Sequence, residues 1–178
     1  MNNIHGLIIV ITGNGKGKTT SSIGGIIRAL NYNWKVALFQ FMKGKNCTGE
    51  INFLKQHIDK NYLSIQKFNI INDFIDNKEI EIDEKYIKRI LKKIKKVILD
   101  ENTKLIVLDE INIVLFKKYI KTERIIELLK IKPKWKTIML TGRYADNKII
   151  EIADLVSEIK EIKHPFNIGI KSQKGIEY

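Results

Sequence analysis

The first residues in this sequence able to do chemistry lie just past Thr12. Between Gly13 and Lys18 stand three glycines and two lysines, and two threonines follow: Gly13-Asn-Gly-Lys-Gly-Lys-Thr-Thr20. An apolar run precedes this segment and a helical pattern follows it. Strand, glycine-rich loop, Lys-Thr and helix form a physical recipe for holding a polyphosphate. Glycines let backbone N–H groups converge on anionic oxygens, and the helix N-terminus adds its positive partial charge. Gly13, Asn14, Gly15, Lys16, Gly17, Lys18, Thr19 and Thr20 are therefore expected to bind nucleotide phosphates. Lys18 supplies a full charge, and the Thr19 hydroxyl can ligate magnesium. A turn that merely joins a strand to a helix has no use for so many glycines. The loop is one residue shorter than the common motif, or Thr12 stands where glycine is usual. Ordinary γ-phosphate chemistry therefore cannot be assumed.

Two more strand ends carry polar groups. Lys104-Leu-Ile-Val-Leu108 runs into Asp109-Glu110, delivering two carboxylates at the C-terminal end of an apolar strand. In open α/β sheets that edge is where ligands bind. Carboxylates there can hold magnesium, directly or through water, so Thr19, Asp109 and Glu110 are the expected metal ligands. The plainer alternative is that Asp109 caps the helical turn at residues 111–116. Thr137-Ile-Met-Leu140 likewise runs into Thr141-Gly142-Arg143, and Arg143 offers a planar fork suited to phosphate or to a nucleotide's polar edges.

The elements that must position these residues are legible as alternating short apolar runs and helical patterns, the signature of βα units on a parallel sheet. Strands are expected at residues 7–11, 35–41, 63–68, 104–108, 136–140 and 155–159. Their nearly continuous apolar character fits strands covered on both faces. The clearest helix is expected at 83–100, with Ile87, Ile90, Leu91, Ile94, Val97 and Ile98 on one face and lysines on the other. Further helices are expected at 19–30, 50–58, 122–130 and 147–153. The expected fold is α/β: one domain, residues 1–178, with a mostly parallel sheet and helices on both faces.

Composition narrows the function. With 178 residues and 44% hydrophobic content the chain can bury one sizeable core. No apolar stretch is long enough to span a membrane, and the N-terminus lacks a signal-type pattern. Cys47 is the single cysteine, so neither an internal disulfide nor a multi-cysteine zinc site is expected. A cytoplasmic protein is expected. The net charge of +12 suggests a polyanion partner, but 28 of the 32 basic residues are lysines in a chain also rich in isoleucine and asparagine. That reads as compositional bias, and no nucleic-acid or membrane partner is expected.

With these residues in view, the chain resembles the P-loop type of cob(I)alamin (corrinoid) adenosyltransferase. The resemblance rests on the phosphate loop, Gln40-Phe-Met-Lys-Gly44, Thr48-Gly-Glu50, Leu108-Asp-Glu110 with Asn112, and Thr141-Gly-Arg143. It also rests on the C-terminal run Ala153-Asp-Leu-Val-Ser-Glu158, then Lys163-His-Pro-Phe166, Gly169, Lys171, Gln173 and Gly175-Ile-Glu-Tyr178. The shortened loop belongs to that pattern, and the match is weak only between about residues 52 and 101. The resemblance implies one ATP- and corrinoid-binding domain. In it, reduced cobalt attacks the 5′ carbon of magnesium-bound ATP and triphosphate leaves. It implies cobalamin or a precursor as co-substrate, a flavoprotein reductant, a homodimer, and a role in adenosylcobalamin synthesis or salvage. Lys16 and Lys18 are then the catalytic charges on the departing triphosphate. No general base is needed, and His164 is expected to be structural or corrin-facing. The family places a phenylalanine and a tryptophan against the lower corrin face. Here Phe68, Ile70 and Phe74 are the nearest match, with core packing as the competing account.

Two rivals remain at this level. A phosphate-loop kinase acting on a small acceptor would use the same loop and acidic strand end. A nucleotide-regulated nucleic-acid-binding module would use the basic surface, and no aromatic-rich motif supports it.

Overall fold

The computed structural model describes residues 5–42, 48–68, 70 and 83–176. The strands are β1 (Ile8–Thr12), β2 (Lys35–Phe41), β3 (Leu63–Phe68), β4 (Thr103–Asp109), β5 (Thr137–Thr141) and β6 (Leu155–Glu158). They form one sheet in the order β3-β2-β4-β5-β1-β6, and every pairing is parallel. The helices are α1 (Lys18–Asn31), α2 (Gly49–His57), α3 (Glu84–Leu99), α4 (Ile111–Phe116), α5 (Thr122–Lys130) and α6 (Asn147–Glu151), with a 3-10 helix at Pro165–Ile168.

Side chains alternate across the sheet, so each strand feeds two cores. On β2, Ala37, Phe39 and Phe41 join Ile106 and Leu108 of β4 under α3, α4, α5 and α6. Val36 and Leu38 join Leu105 and Val107 on the other face, under Ile23 and Ile26 of α1 and Ile51 and Leu54 of α2. Both faces are covered by helices, as parallel sheets require.

The α3 helix shows why its sequence folds this way. Ile87, Ile90, Leu91, Ile94 and Ile98 are buried on one stripe. The Asp83 side chain accepts a hydrogen bond from the Lys85 N–H at 2.8 Å, a helix N-cap. Its lysines form the outward face.

Phe68 is 4% exposed. Its ring lies 5.8 Å from Phe39 in a stacked arrangement and 5.5 Å from Phe41. Ile70 belongs to the same buried cluster. For Phe68 and Ile70 the structure shows the core packing that was the competing account to the expected corrin contact: Phe68 ends β3 beside Phe41 of β2, and Ile70 lies in the same buried cluster. Phe74 lies outside the described residues, as do Lys43, Gly44, Cys47, Glu177 and Tyr178.

Candidate active site

All three polar strand ends meet at the C-terminal edge of the sheet. The order β4-β5-β1 puts Thr141 of β5 between Asp109 and the phosphate loop. Asp109 is fully buried. Its Oδ1 accepts from the Thr19 hydroxyl at 2.8 Å and from the Thr141 hydroxyl at 2.8 Å. Its Oδ2 accepts from Gln40 Nε2 at 3.2 Å. Neighbouring strands thus hold the carboxylate from both sides, and the loop's own helix closes it from the front. Capping is not what Asp109 does: the N-cap of α4 is Glu110, and it makes no side-chain cap hydrogen bond. Glu110 sits at φ 65°, a left-handed conformation uncommon for a side chain of this kind. Its N–H donates to the Thr141 hydroxyl at 3.0 Å.

Lys18 is buried and donates from Nζ to the Gly15 carbonyl at 2.6 Å. Burial pushes its ammonium below the ordinary lysine value. Glu110 pulls it back up, Arg143 opposes it, and Glu161 supports it. One lysine therefore feels charges from three other loops, which brings Lys18, Glu110 and Arg143 into one field. Asn14 and Lys16 stand exposed on the loop, and Thr20 on the first turn of α1. The Thr20 hydroxyl donates to Glu50 at 3.2 Å, tying α1 to α2.

The glycines serve packing as well as ligand access. Gly13 has φ 97°, and a Cβ there would collide with the Ile159 carbonyl. A Cβ on Gly15 would come within 2.8 Å of both the Ile159 side chain and the Lys160 carbonyl. Ile159 is bonded to the loop by its backbone: the Gly15 N–H donates to its carbonyl at 2.8 Å, and its N–H donates to the Thr12 carbonyl at 2.8 Å. The segment after β6 therefore braces the loop from outside.

Sequence reasoning passed over several of these groups. Gln40 was one residue of a matched motif, yet it touches Asp109; a polar residue near the end of an apolar strand was the available signal. Glu161 and the Ile159 carbonyl gave no signal of their own. Phe116 and Tyr144, exposed rings 4.4 Å apart, line a cavity of about 670 Å3 that also reaches Thr122 and Asp146. His164, expected to be structural or corrin-facing, has an Nδ1 that accepts from the Phe166 N–H at 3.1 Å and caps the 3-10 helix.

The donor set at Thr19, Asp109 and Glu110 is a hydroxyl and two carboxylates. Hard oxygen donors of this kind suit magnesium and do not suit a soft metal. The residues present fit that ion. The arrangement as a whole can hold a polyphosphate, neutralise charge developing on it, and position its metal.

The sequence matches the family model described as ATP:corrinoid adenosyltransferase BtuR/CobO/CobP over residues 4–178. It is 39% identical over 176 residues to a corrinoid adenosyltransferase of Sinorhizobium sp, covering 97% of this chain and 80% of that protein. It is 35% identical over 174 residues to a corrinoid adenosyltransferase of Escherichia coli (strain K12), covering 98% of this chain and 86% of that one. Among solved structures, a KaiC-like protein from the archaeon Pyrococcus horikoshii OT3 matches with a TM-score of 0.57 at 16% identity. That match covers 89% of this chain and 75% of the other, and it speaks to the fold alone.

Proposed function

Since the chain belongs to the ATP:corrinoid adenosyltransferase family, we propose that the edge built around Lys18 and Asp109 carries out the transfer of the 5′-deoxyadenosyl group of ATP to the Co(I) centre of a corrinoid. The observation that carries this assignment of residues is the Thr19–Asp109 hydrogen bond, which joins the phosphate loop's helix to the acidic strand end.

In the reaction, the Co(I) electron pair forms the bond to C5′ as the C5′–O bond breaks, and that bond's electrons leave on inorganic triphosphate. Cobalt becomes formally Co(III). The nucleophile carries no proton, so no base is required. What this chain must supply is a fixed field for the departing anion. Loop N–H groups, Lys18 and Lys16 provide it without reorganising as charge develops. Arg143 adds a donor fork at the same edge. Thr19, Asp109 and Glu110 would hold magnesium, which when bound neutralises charge on the phosphates.

With Phe68 and Ile70 in the core, Phe116 and Tyr144 are the better apolar contacts for the corrin: both rings are exposed, they lie 4.4 Å apart, and Tyr144 directly follows Arg143 in the chain. We also assign a homodimer. Its support is β6, the sheet's edge strand, which exposes Leu155 and Val156, followed by a stretch that exposes Ile162, Phe166 and Ile168. A flavoprotein is a suitable one-electron donor for Co(II), and the cytoplasm is a suitable compartment for a chain with one thiol.

Anaerobic incubation with ATP, magnesium and chemically reduced cobalamin tests the reading. The adenosylcobalamin spectrum should appear with stoichiometric triphosphate. Formation of ADP without that spectrum would install the kinase reading instead.

A further inference from the structure

Gln40 is 1% exposed, and its Oε1 has no hydrogen-bond partner among the described residues. Buried polar atoms left unsatisfied are costly, and folded proteins keep few of them. The residue lies on β2 among Leu38, Phe39 and Phe41, where the register sets it directly beside Asp109 of β4. An apolar side chain would serve the sheet as well. The glutamine must be explained by what its two ends do.

One end is occupied. Nε2 donates to Asp109 Oδ2, and this fixes the amide's orientation, since an oxygen turned toward the carboxylate would be repelled. The other end is an acceptor close to the same carboxylate, and it needs a donor. Triphosphate oxygens only accept, so they cannot satisfy it. Magnesium, by contrast, sheds water reluctantly and keeps several water ligands in nucleotide sites. Those waters are strong donors.

We propose that Gln40 is a positioning residue of the magnesium site: its amide nitrogen fixes Asp109, and its carbonyl oxygen accepts a hydrogen bond from metal-bound water. Groups of this kind behind a metal's direct ligands commonly change affinity by roughly 10–100-fold when removed. The inference rests on the magnesium assignment above.

The test is calorimetric, without corrinoid, on the full chain. ATP binding is titrated at graded magnesium and again in chelator, for the parent, Gln40→Met and Gln40→Ala. The two variants, one filling the site and one leaving room for water, keep the test standing if either fails to fold. The magnesium needed for half-maximal tightening of ATP binding should rise by roughly 10-fold or more. Metal-free ATP affinity should stay within about a factor of two, because only the metal's contribution is removed. The melting midpoint of Gln40→Met should change little, because the variant removes an orphaned acceptor together with the donor to Asp109 Oδ2. A magnesium requirement like the parent's overturns the proposal. So does an equal loss with and without metal, which would mark Gln40 as packing. If the parent's own ATP binding ignores magnesium, the metal assignment fails and the inference falls with it.

Discussion

A lysine is buried near each end of the parallel sheet, and the two are buried differently. Lys18 lies at the C-terminal edge with Glu110, Arg143 and Glu161 in its field. Lys136 lies just before β5, at the N-terminal edge, and is fully buried. Its Nζ donates to the Val97 carbonyl at 2.9 Å and to the Asp100 carbonyl, closing the C-terminal end of α3. The Trp135 ring lies 5.0 Å from the same ammonium. Burial brings Lys136 down to about 8 and lowers Lys18 as well. By the size of its perturbation Lys136 would be the better site candidate. Its partners say otherwise: neutral carbonyls at a helix end, where a cation is a stabilising cap. Several charges converging from separate loops, beside glycines braced by Ile159, are what favour Lys18 as the lysine of the proposed site. Perturbed titration locates buried charge, and the surroundings decide what the charge is for.

The largest expected effect breaks the comparison at Lys18. Lys18→Ala should lower kcat at saturating ATP by about 10²–10³-fold, as loss of one fixed electrostatic donor does elsewhere. The melting midpoint should scarcely move, because the variant also removes a desolvated charge. Turnover like the parent's would take Lys18 out of the mechanism.

Next in size are the carboxylates. Asp109→Asn and Glu110→Gln should each raise the magnesium requirement of turnover, by roughly 10-fold or more at Asp109. Asp109 is held by three side chains, whereas half-buried Glu110 is held through its backbone. Magnesium titration curves overlaying the parent's would return both residues to a structural role.

Lys136→Met should do the reverse of Lys18→Ala. Two helix-end carbonyls lose their donor, which costs about 1–2 kcal/mol after the relief of a buried charge is counted. Specific activity below the melting transition should stay within about a factor of two of the parent, since the N-terminal sheet edge lies away from the loops that bind ligand. Urea unfolding and the cobalamin assay, run on one preparation, separate the outcomes. An activity loss without a stability loss would erase the distinction between the two lysines.

How much of this was readable beforehand differs along the chain for physical reasons. The expected spans of β2 and β3 agree with the structure: β2 is buried from Val36 to Phe41, whereas β3, an edge strand, is marked by its buried ends, Leu63 and Phe68, with more polar residues between them. β1 and β5 each run one residue further than expected, to Thr12 and Thr141. Those threonines still sit in the ladder while the Thr141 hydroxyl donates to Asp109 and the Thr12 hydroxyl accepts from the Ala145 N–H, so their polarity disguised them as loop. The helix expected at 147–153 ends at Glu151. The phosphate loop and the two other strand ends were legible because their residue types are unusual at such positions. The brace on the loop was not, since a backbone carbonyl at Ile159 has no side-chain signature. Phe68 was ambiguous for another reason: an aromatic at the end of a strand looks the same whether it faces a ligand or Phe39.

The smallest effect sharpens the comparison through pH. Lys136 holds a proton less tightly in the folded chain, near 8, than in the unfolded chain, near 10.5. Between those values the unfolded state binds more protons, so the contribution of Lys136 to stability rises with pH across that window and is flat below it. The sign is opposite to that of a surface lysine paired with a carboxylate, whose contribution is lost as pH rises through its raised folded value. Burial alone would make the rise about 3 kcal/mol across the window; the helix-end carbonyls and the Trp135 ring favour the charged form and work against burial, so the rise should be smaller, about 1 kcal/mol. Other groups titrate in the same window, including Lys132, which burial also lowers. Subtracting the Lys136→Met curve removes what the two proteins share. Unfolding free energies of both, measured from pH 7.5 to 10.5, should therefore draw apart in the parent's favour as pH increases. A flat difference would mean that Lys136 keeps its proton in the fold, held by Val97 and Asp100 strongly enough to cancel its burial. A falling difference would make it an ordinary stabilising cation, and its resemblance to Lys18 would end at being buried.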